Sequence, residues 1–195
     1  MVTALIGLPG VGKSLILSYI AHLYTVGKSP NACKLCVSSQ KKYDRLYTNF
    51  EFEGAYKLDF DKLGIAYYNN SLMLCDEIQL FADSRNFKQF GDNLTYWFSN
   101  HRKDHLDFIY CTQDYSFVDK RIRSITDRVY VLERTVFGLL RVREVLSSFD
   151  LSTLGQKHVF SARSRYYIPP LLYKYNNTDY HIKFPYTEEA PSEKW

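Results

Sequence analysis

The sequence is poor in the features that mark secreted and membrane proteins. Only four of its 195 residues are cysteine, and no run approaches the roughly 20 apolar residues that a membrane-spanning helix needs. The first residues lack the charged segment, the apolar stretch and the cleavage site of a signal peptide. We therefore expect a soluble chain in a reducing, cytosolic compartment.

The four cysteines also lack the partners of a zinc site. Cys33 and Cys36 are spaced as half of a zinc motif, but no second pair of Cys or His residues lies near them in the sequence. Cys75 and Cys111 lie inside apolar, strand-like runs, where a free thiol behaves as a small hydrophobic group. We expect all four to be reduced thiols.

Composition and charge indicate one ordinary globular unit. The chain is 46% hydrophobic and 24% charged, and its formal net charge of +4 is a mild excess that is compatible with nucleic acid or an anionic membrane but requires neither. There is no internal repeat, low-complexity tract or linker. We expect a single domain over residues 1–195, with a core over roughly 1–146 and an irregular C-terminal extension over 147–195.

Apolar runs that alternate with helical patterns predict an α/β fold with a mainly parallel sheet between two helical layers. Helical spacing begins at Ser14 and is expected to stop near Gly27 and Pro30. Weaker helical patterns cover 92–103 and 116–125, and a turn at Phe137-Gly138 suggests a hairpin. The predicted strands are 2–6, 34–38, 45–52, 71–75, 108–111, 128–132 and 139–145.

The first strand leads into Gly7-x-x-x-x-Gly12-Lys13-Ser14, which has the spacing of a P-loop and opens a helix as a P-loop should. Glycines allow backbone N–H groups to surround phosphate oxygens, and the helix N-terminus adds positive potential. Lys13 should reach the β- and γ-phosphates, and Ser14 should ligate Mg²⁺. The residues predicted to bind nucleotide are Leu8, Pro9, Gly10, Val11, Gly12, Lys13, Ser14 and Leu15.

Two acids follow the apolar strand 71–75. Asp76 is expected in the Mg²⁺ coordination sphere, and Glu77 is expected to orient and activate the attacking water. A glutamate directly after the aspartate favours hydrolysis over transfer to a bound acceptor. No Asn-Lys-x-Asp motif for guanine occurs, so ATP is preferred to GTP.

The stretch from Asn100 to Asp114 is open to three interpretations. His101 and His105 have helical spacing, but two cations lie between them and no third ligand follows, so we expect surface histidines rather than a metal site. The surrounding arginines are consistent with contact to a phosphate backbone, but they give no sign of sequence-specific readout. These are Arg102, Arg121, Arg123, Arg128, Arg141, Arg143, Arg163 and Arg165.

The third interpretation fits best. In P-loop ATPases of the additional-strand (ASCE) type, a strand lies between the P-loop strand and the Asp-Glu strand and ends in a polar residue that senses the γ-phosphate. The strand beginning at Asp107 has this form, with Gln113 as the sensor. Arg102 precedes this strand and is therefore expected at its far end, where it could act on a neighbouring subunit's nucleotide as an arginine finger.

The chain resembles the filamentous-phage assembly ATPases grouped with the zonula occludens toxin family. The likeness rests on Trp97-Phe98-Ser99-Asn100-His101-Arg102-Lys103, Asp107-Phe108-Ile109, Thr112-Gln113-Asp114, Val118-Asp119-Lys120, Thr48-Asn49-Phe50, the P-loop and the Asp-Glu strand end. It extends from residue 1 to about Leu132. The family pattern also has an arginine shortly after Asp-Glu, matched by Arg85, a second candidate to act in trans.

This resemblance implies the cytoplasmic N-terminal ATPase domain of a motor at the bacterial inner membrane. It implies that the domain binds and hydrolyses Mg-ATP and forms a homo-oligomeric ring. The implied partners are phage coat protein, single-stranded phage DNA and other phage assembly proteins. Family members usually continue into a transmembrane helix, so we expect membrane attachment through a segment absent from this chain.

Two other functions stay open at this stage. The P-loop would also suit a small nucleotide or metabolite kinase, with Arg121, Arg123 and Arg128 holding an acceptor phosphate. The chain could instead be a nucleotide-switched, non-catalytic module that binds coat protein or DNA. The Asp76-Glu77 pair argues against both alternatives.

Overall fold

The computed structural model describes residues 1–27, 43–82, 96–97, 100–145 and 160–175, with side chains from residue 164 onward in the last range. It contains eight strands, which are β1 Val2–Ile6, β2 Arg45–Thr48, β3 Tyr56–Lys57, β4 Ser71–Cys75, β5 Asp107–Thr112, β6 Arg128–Arg134, β7 Leu140–Val145 and β8 Phe160–Tyr167. The α-helices are α1 Lys13–Thr25, α2 Lys120–Ile125 and α3 Pro169–Leu172, and short 3₁₀ turns cover Phe60–Lys62, Ile78–Leu80, Tyr115–Phe117 and Tyr173–Tyr175.

All eight strands form one sheet in the order β3-β2-β4-β5-β1-β6-β7-β8. The first six strands in this order are parallel, and β7 and β8 add an antiparallel edge. Strand β5 lies between β1 and β4 and pairs with both. The mainly parallel sheet and the additional strand are therefore confirmed, and the carboxyl ends of β1, β2, β4, β5 and β6 meet at one edge.

Helix α1 covers one face of the sheet because its apolar residues recur every three or four positions. Leu15, Ile16, Ile20 and Leu23 are buried and pack against residues of the sheet such as Leu74. The helix ends at Thr25, as the glycine that follows two residues later (φ 68°) predicts.

A second core lies on the other face of the sheet. Phe108 and Tyr110 of β5 are fully buried there, together with Trp97 and with Ile122 of α2. Because helices cover both faces, the central strands are buried on both sides, which is why they appear as continuous apolar runs in the sequence.

The buried cysteines are part of these cores. Cys75 and Cys111 are free and lie on the adjacent strands β4 and β5. Burial raises the pKa of both thiols well above the ordinary value, so they stay protonated and unreactive. Their predicted role as small hydrophobic groups is confirmed.

Three predictions of secondary structure are wrong in part. The strand expected over 45–52 ends at Thr48, and the helix expected over 116–125 is a 3₁₀ turn and then α2, separated by Val118 and Asp119. The extension over 147–195 is not irregular throughout, because β8 and α3 lie within it. The strand predicted over 34–38 and half of the helix predicted over 92–103 lie outside the described residues, and residues 96, 97 and 100 of the other half are helical.

Within the described part of the chain, no helix has both the length and the apolar character that crossing a membrane requires.

Candidate active site

Three of the predicted catalytic residues, Lys13, Glu77 and Gln113, meet at the carboxyl edge of the parallel strands. The P-loop follows β1, Asp76 and Glu77 follow β4, and Gln113 follows β5. In an open α/β sheet this edge is where ligands bind, because the loops after adjacent parallel strands lie side by side there.

The P-loop needs its glycines for two reasons. A Cβ at Gly7 would lie 2.9 Å from the carbonyl oxygen of Leu132, so only glycine allows β1 and β6 to approach this closely. Gly10 and Gly12 have φ angles of 72° and 116°, a region that side chains disfavour. The buried Lys13 Nζ donates hydrogen bonds to the carbonyl oxygens of Gly7 at 2.8 Å and Leu8 at 3.2 Å.

Ser14 and Asp76 form the pair that the predicted magnesium site requires. Ser14 Oγ donates a hydrogen bond of 2.5 Å to Asp76 Oδ2. Burial raises the pKa of the Asp76 carboxyl and Glu77 adds to this rise, while the Ser14 hydrogen bond and the Lys13 ammonium oppose it. A hydroxyl and a carboxylate that face each other are hard oxygen donors, so this pair fits Mg²⁺.

Glu77 is held in an unusual backbone conformation at the centre of the site. Its φ angle of 49° is in the left-handed region, uncommon for a residue other than glycine. Lys13 Nζ lies 3.9 Å from its Oε1, and Gln113 Nε2 lies 3.3 Å and 3.4 Å from its two carboxylate oxygens. Gln79 Nε2 also donates to Glu77, a contact that the sequence did not reveal.

Asn49 is the second residue that the sequence analysis did not assign to the site. Its Nδ2 donates to the Asp76 carbonyl oxygen and its Oδ1 accepts from the Asp76 N–H, both at 2.7 Å. The side chain is buried at 3% exposure and follows the last residue of β2. The Thr48-Asn49-Phe50 likeness to the phage family is the one sequence signal that pointed to this position.

Of the two candidate arginine fingers, the structure describes one, Arg102, and it does not lie at this edge within the chain. Arg102 lies in a turn before β5, at the opposite edge of the sheet, where its guanidinium forms an ion pair with Asp127 and its side chain is 70% exposed. This agrees with its expected place at the far end of the strand. Arg85 lies outside the described residues.

The two histidines of the same stretch differ in environment. His105 is exposed in a turn with a φ angle of 56°, as expected of a surface histidine. His101, in contrast, is buried at 4% exposure. The prediction of a surface position is therefore wrong for His101, because the turn after the Trp97 segment folds this side chain towards the protein.

The remaining arginines are spread over different surfaces. Arg141 and Arg143 lie on one face of β7 and both bind Glu133, whereas Arg165 pairs with Val142 and so lies on the opposite face. Arg128 begins β6 at the edge away from the P-loop, and Arg121 is bound to Asp119. The described arginines form no continuous basic stripe. Arg134, at the end of β6, contacts the P-loop, where its Nε donates to the Val11 carbonyl oxygen at 3.2 Å.

Comparison with known proteins gives one family. The family model described as Zonular occludens toxin (Zot) matches residues 37–174. This match begins after the P-loop helix and continues beyond Leu132, where the motifs visible in the sequence end. No curated protein matches the chain.

Two solved structures share the fold. The N-terminal domain of zonular occludens toxin from Neisseria meningitidis is 16% identical with a TM-score of 0.55, and the match covers 86% of this chain and 93% of that domain. The genome packaging NTPase B204 from Sulfolobus turreted icosahedral virus 2, solved with ATP-gammaS, is 12% identical with a TM-score of 0.50 and coverages of 82% and 95%. Likeness at such identities identifies a P-loop NTPase fold.

Proposed function

The chain belongs to the zonular occludens toxin (Zot) family, and we propose that it is a magnesium-dependent ATPase that drives the assembly and extrusion of filamentous phage. The observation that carries the ATPase part is the convergence of Lys13, Ser14, Asp76 and Glu77 at one edge of the sheet. Each of these side chains suits a different task in phosphoanhydride hydrolysis: binding the phosphates, binding the metal or activating the water.

The P-loop binds the phosphates. Backbone N–H groups between Leu8 and Leu15 surround the phosphate oxygens, and the N-terminus of α1 adds positive potential. Lys13 leaves the carbonyl oxygens of Gly7 and Leu8 and turns to the β- and γ-phosphates. Ser14 and Asp76 hold Mg²⁺, which when bound neutralises charge that builds up on the phosphate oxygens.

Glu77 and Gln113 act on the water. Glu77 accepts the proton of the attacking water, and Gln113, whose amide nitrogen already faces the Glu77 carboxylate, holds that water in line with the γ-phosphate. A kinase would exclude this water and hold an acceptor in its place. The Glu77–Gln113 pair therefore favours hydrolysis.

The motor part of the proposal rests on the family. We infer a homo-oligomeric ring at the cytoplasmic face of the bacterial inner membrane, with Arg102 or Arg85 completing the site of a neighbouring subunit. Coat protein, single-stranded phage DNA and other phage assembly proteins are the partners on which such a ring would act.

Two variants test the ATPase part. Lys13→Ala should abolish ATP binding measured by calorimetry, because it removes the cation that meets the phosphates. Glu77→Gln should keep binding but lower turnover by about a hundredfold or more, since the amide cannot accept a proton. Glu51→Gln, an exposed position, is the matched control and should be unchanged.

Phosphate release without any added acceptor is the readout, because it separates an ATPase from a kinase. Wild-type turnover by the Glu77→Gln variant would contradict the role of Glu77. Turnover that stays negligible in the wild-type protein at high concentration would favour a nucleotide-switched binding module instead.

A further inference from the structure

An open groove of about 550 Å³ runs between α1 and the C-terminal segment Tyr166–Tyr175. Its volume is in the range of small-molecule sites, and most of its lining is aromatic or aliphatic. The side chains that matter here are Tyr19, Tyr167, Ile168, Leu171, Lys174 and Tyr175.

The groove is connected to the P-loop through α1 on one wall and through β7 and β8 on the other. Tyr19 lies four residues after Leu15 on α1 and therefore on the same side of the helix, one turn away from the phosphate site. On the other wall, Tyr167 pairs with Leu140, and a Cβ placed on Gly12 would lie 3.4 Å from Leu140 Cδ2. Tyr167 is thus the strand partner of the residue that lies against Gly12, and Tyr19 lies on the helix that the P-loop opens.

The groove offers flat apolar surfaces with polar groups beside them. The ring centres of Tyr19 and Tyr175 lie 5.7 Å apart, and the His22 ring stacks on the Tyr175 ring with the centres 4.1 Å apart. Lys174 Nζ lies 4.8 Å from the Tyr175 ring centre. Ile168 and Leu171 are 52% and 63% exposed, which leaves apolar surface in solvent.

We propose that this groove binds the adenine base and ribose of the nucleotide whose phosphates the P-loop holds. The inference rests on the proposed ATPase function. The occupant of the groove is inferred from the covalent bond that joins the phosphates to the nucleoside. Phosphates held between Gly7 and Ser14 carry a nucleoside that must lie against a neighbouring surface, and this groove provides aromatic rings for stacking. Tyrosine hydroxyls and Lys174 can meet the polar edge of the base and the ribose hydroxyls.

The test compares two ligands, Mg-ATP and Mg-tripolyphosphate, by calorimetry on the full chain. Tripolyphosphate lacks base and ribose, so it reports on the P-loop alone. The double variant Ile168→Gln/Leu171→Gln and the single variant Tyr19→Ala should each weaken ATP binding by about tenfold. Both should bind tripolyphosphate as the wild-type protein does.

The control is Ile65→Gln/Tyr67→Gln, because these two apolar residues are 74% and 79% exposed and lie between β3 and β4, near the other edge of the sheet. It should bind both ligands normally. Equal affinity of the wild-type protein for ATP and tripolyphosphate, or an unchanged ATP affinity of both groove variants, would overturn the base site while leaving the P-loop intact. Failure of the wild-type protein to bind either ligand would overturn the proposed function and the base site together.

Discussion

Asn49 forms two hydrogen bonds with the backbone of Asp76, one to its carbonyl oxygen and one from its N–H. The paired backbones of β2 and β4 end at Thr48 and Leu74, so the side-chain amide extends their hydrogen bonding by one step. This contact fixes the backbone of Asp76, whose carboxylate then meets Ser14. Asn49 is therefore a positioning residue for the predicted magnesium site.

Replacing Asn49 should damage both stability and activity. Asn49→Ala removes the partner of the Asp76 N–H and leaves the Asp76 carbonyl oxygen with the weak thiol donor of Cys75 at 3.5 Å, so the free energy of unfolding should fall by about 2 kcal/mol. Urea unfolding measures this change, with Asn69→Ala, an exposed asparagine, as the control. Magnesium dependence of turnover separates the positioning role from a merely structural one, because a displaced Asp76 should require more Mg²⁺. An unchanged dependence would contradict that role.

Replacing Gln113 should lower ATP turnover without changing the stability of the fold. Its side chain is exposed and contacts Glu77 at 3.3 Å and 3.4 Å, so Gln113→Ala should change the free energy of unfolding by less than about 0.5 kcal/mol. Phosphate release should fall by about tenfold to a hundredfold while ATP affinity stays the same. A loss of affinity with normal turnover would instead make Gln113 a binding residue.

Arg102 allows a test of action between subunits. Its exposed ion pair with Asp127 should contribute less than about 1 kcal/mol, so Arg102→Ala should fold normally. If Arg102 completes a neighbour's site, Arg102→Ala and Glu77→Gln should each be inactive alone but active when mixed. In the mixture, one subunit supplies an intact site and the next supplies the arginine. Lys103→Ala, the adjacent exposed cation, should remain active alone.

Asp119 should make stability depend on pH in a defined direction. Its carboxylate caps α2 by accepting the Arg121 N–H at 2.8 Å and binds the Arg121 guanidinium at 3.0 Å. Burial raises the pKa of Asp119, but these hydrogen bonds and the nearby Arg123 lower it more, and the net pKa lies below the ordinary 3.8. Because the pKa is lower in the folded state, the Asp119 carboxylate stabilises the protein at pH values above its ordinary pKa of 3.8. This contribution is lost as the pH falls through the folded-state pKa.

Asp119→Asn keeps the cap but removes the charge. At pH 7 it should lower the free energy of unfolding by about 1 kcal/mol, because the Arg121 partner is partly exposed. The difference from the wild-type protein should shrink as the pH falls below 3.8. Urea unfolding at several pH values measures it, and a difference that grows towards acid would contradict the assignment.

Much of the fold could be predicted from local patterns in the sequence. The strand 71–75 and the first strand match the structure residue by residue, because central strands of a parallel sheet are apolar throughout. The P-loop, Asp76, Glu77 and Gln113 were predictable because each directly follows such a strand. The hairpin at Phe137-Gly138 was predictable because glycine readily adopts the positive φ angle that a tight turn needs, and Gly138 has a φ angle of 75°.

The C-terminal strand β8 was missed because it is an edge strand that contacts one neighbour, so little apolar periodicity marks it. The burial of His101 was missed for a related reason. Neither the stretch from Asn100 to Asp114 nor its charges reveal which way a turn directs a side chain. These outcomes depend on segments that are distant in the sequence.

The order of residues along the chain specifies which chemical groups are present and which strand ends carry them, since those properties depend on near neighbours in the chain. Which of these groups meet depends on the folded arrangement. It brought Ser14 to Asp76, Asn49 to the backbone of the same residue and Tyr19 to Tyr175, and it directed Arg102 away to the opposite edge. Strand order and the packing of α1 produce these encounters, and both result from burying apolar surface across the whole chain rather than from any local motif.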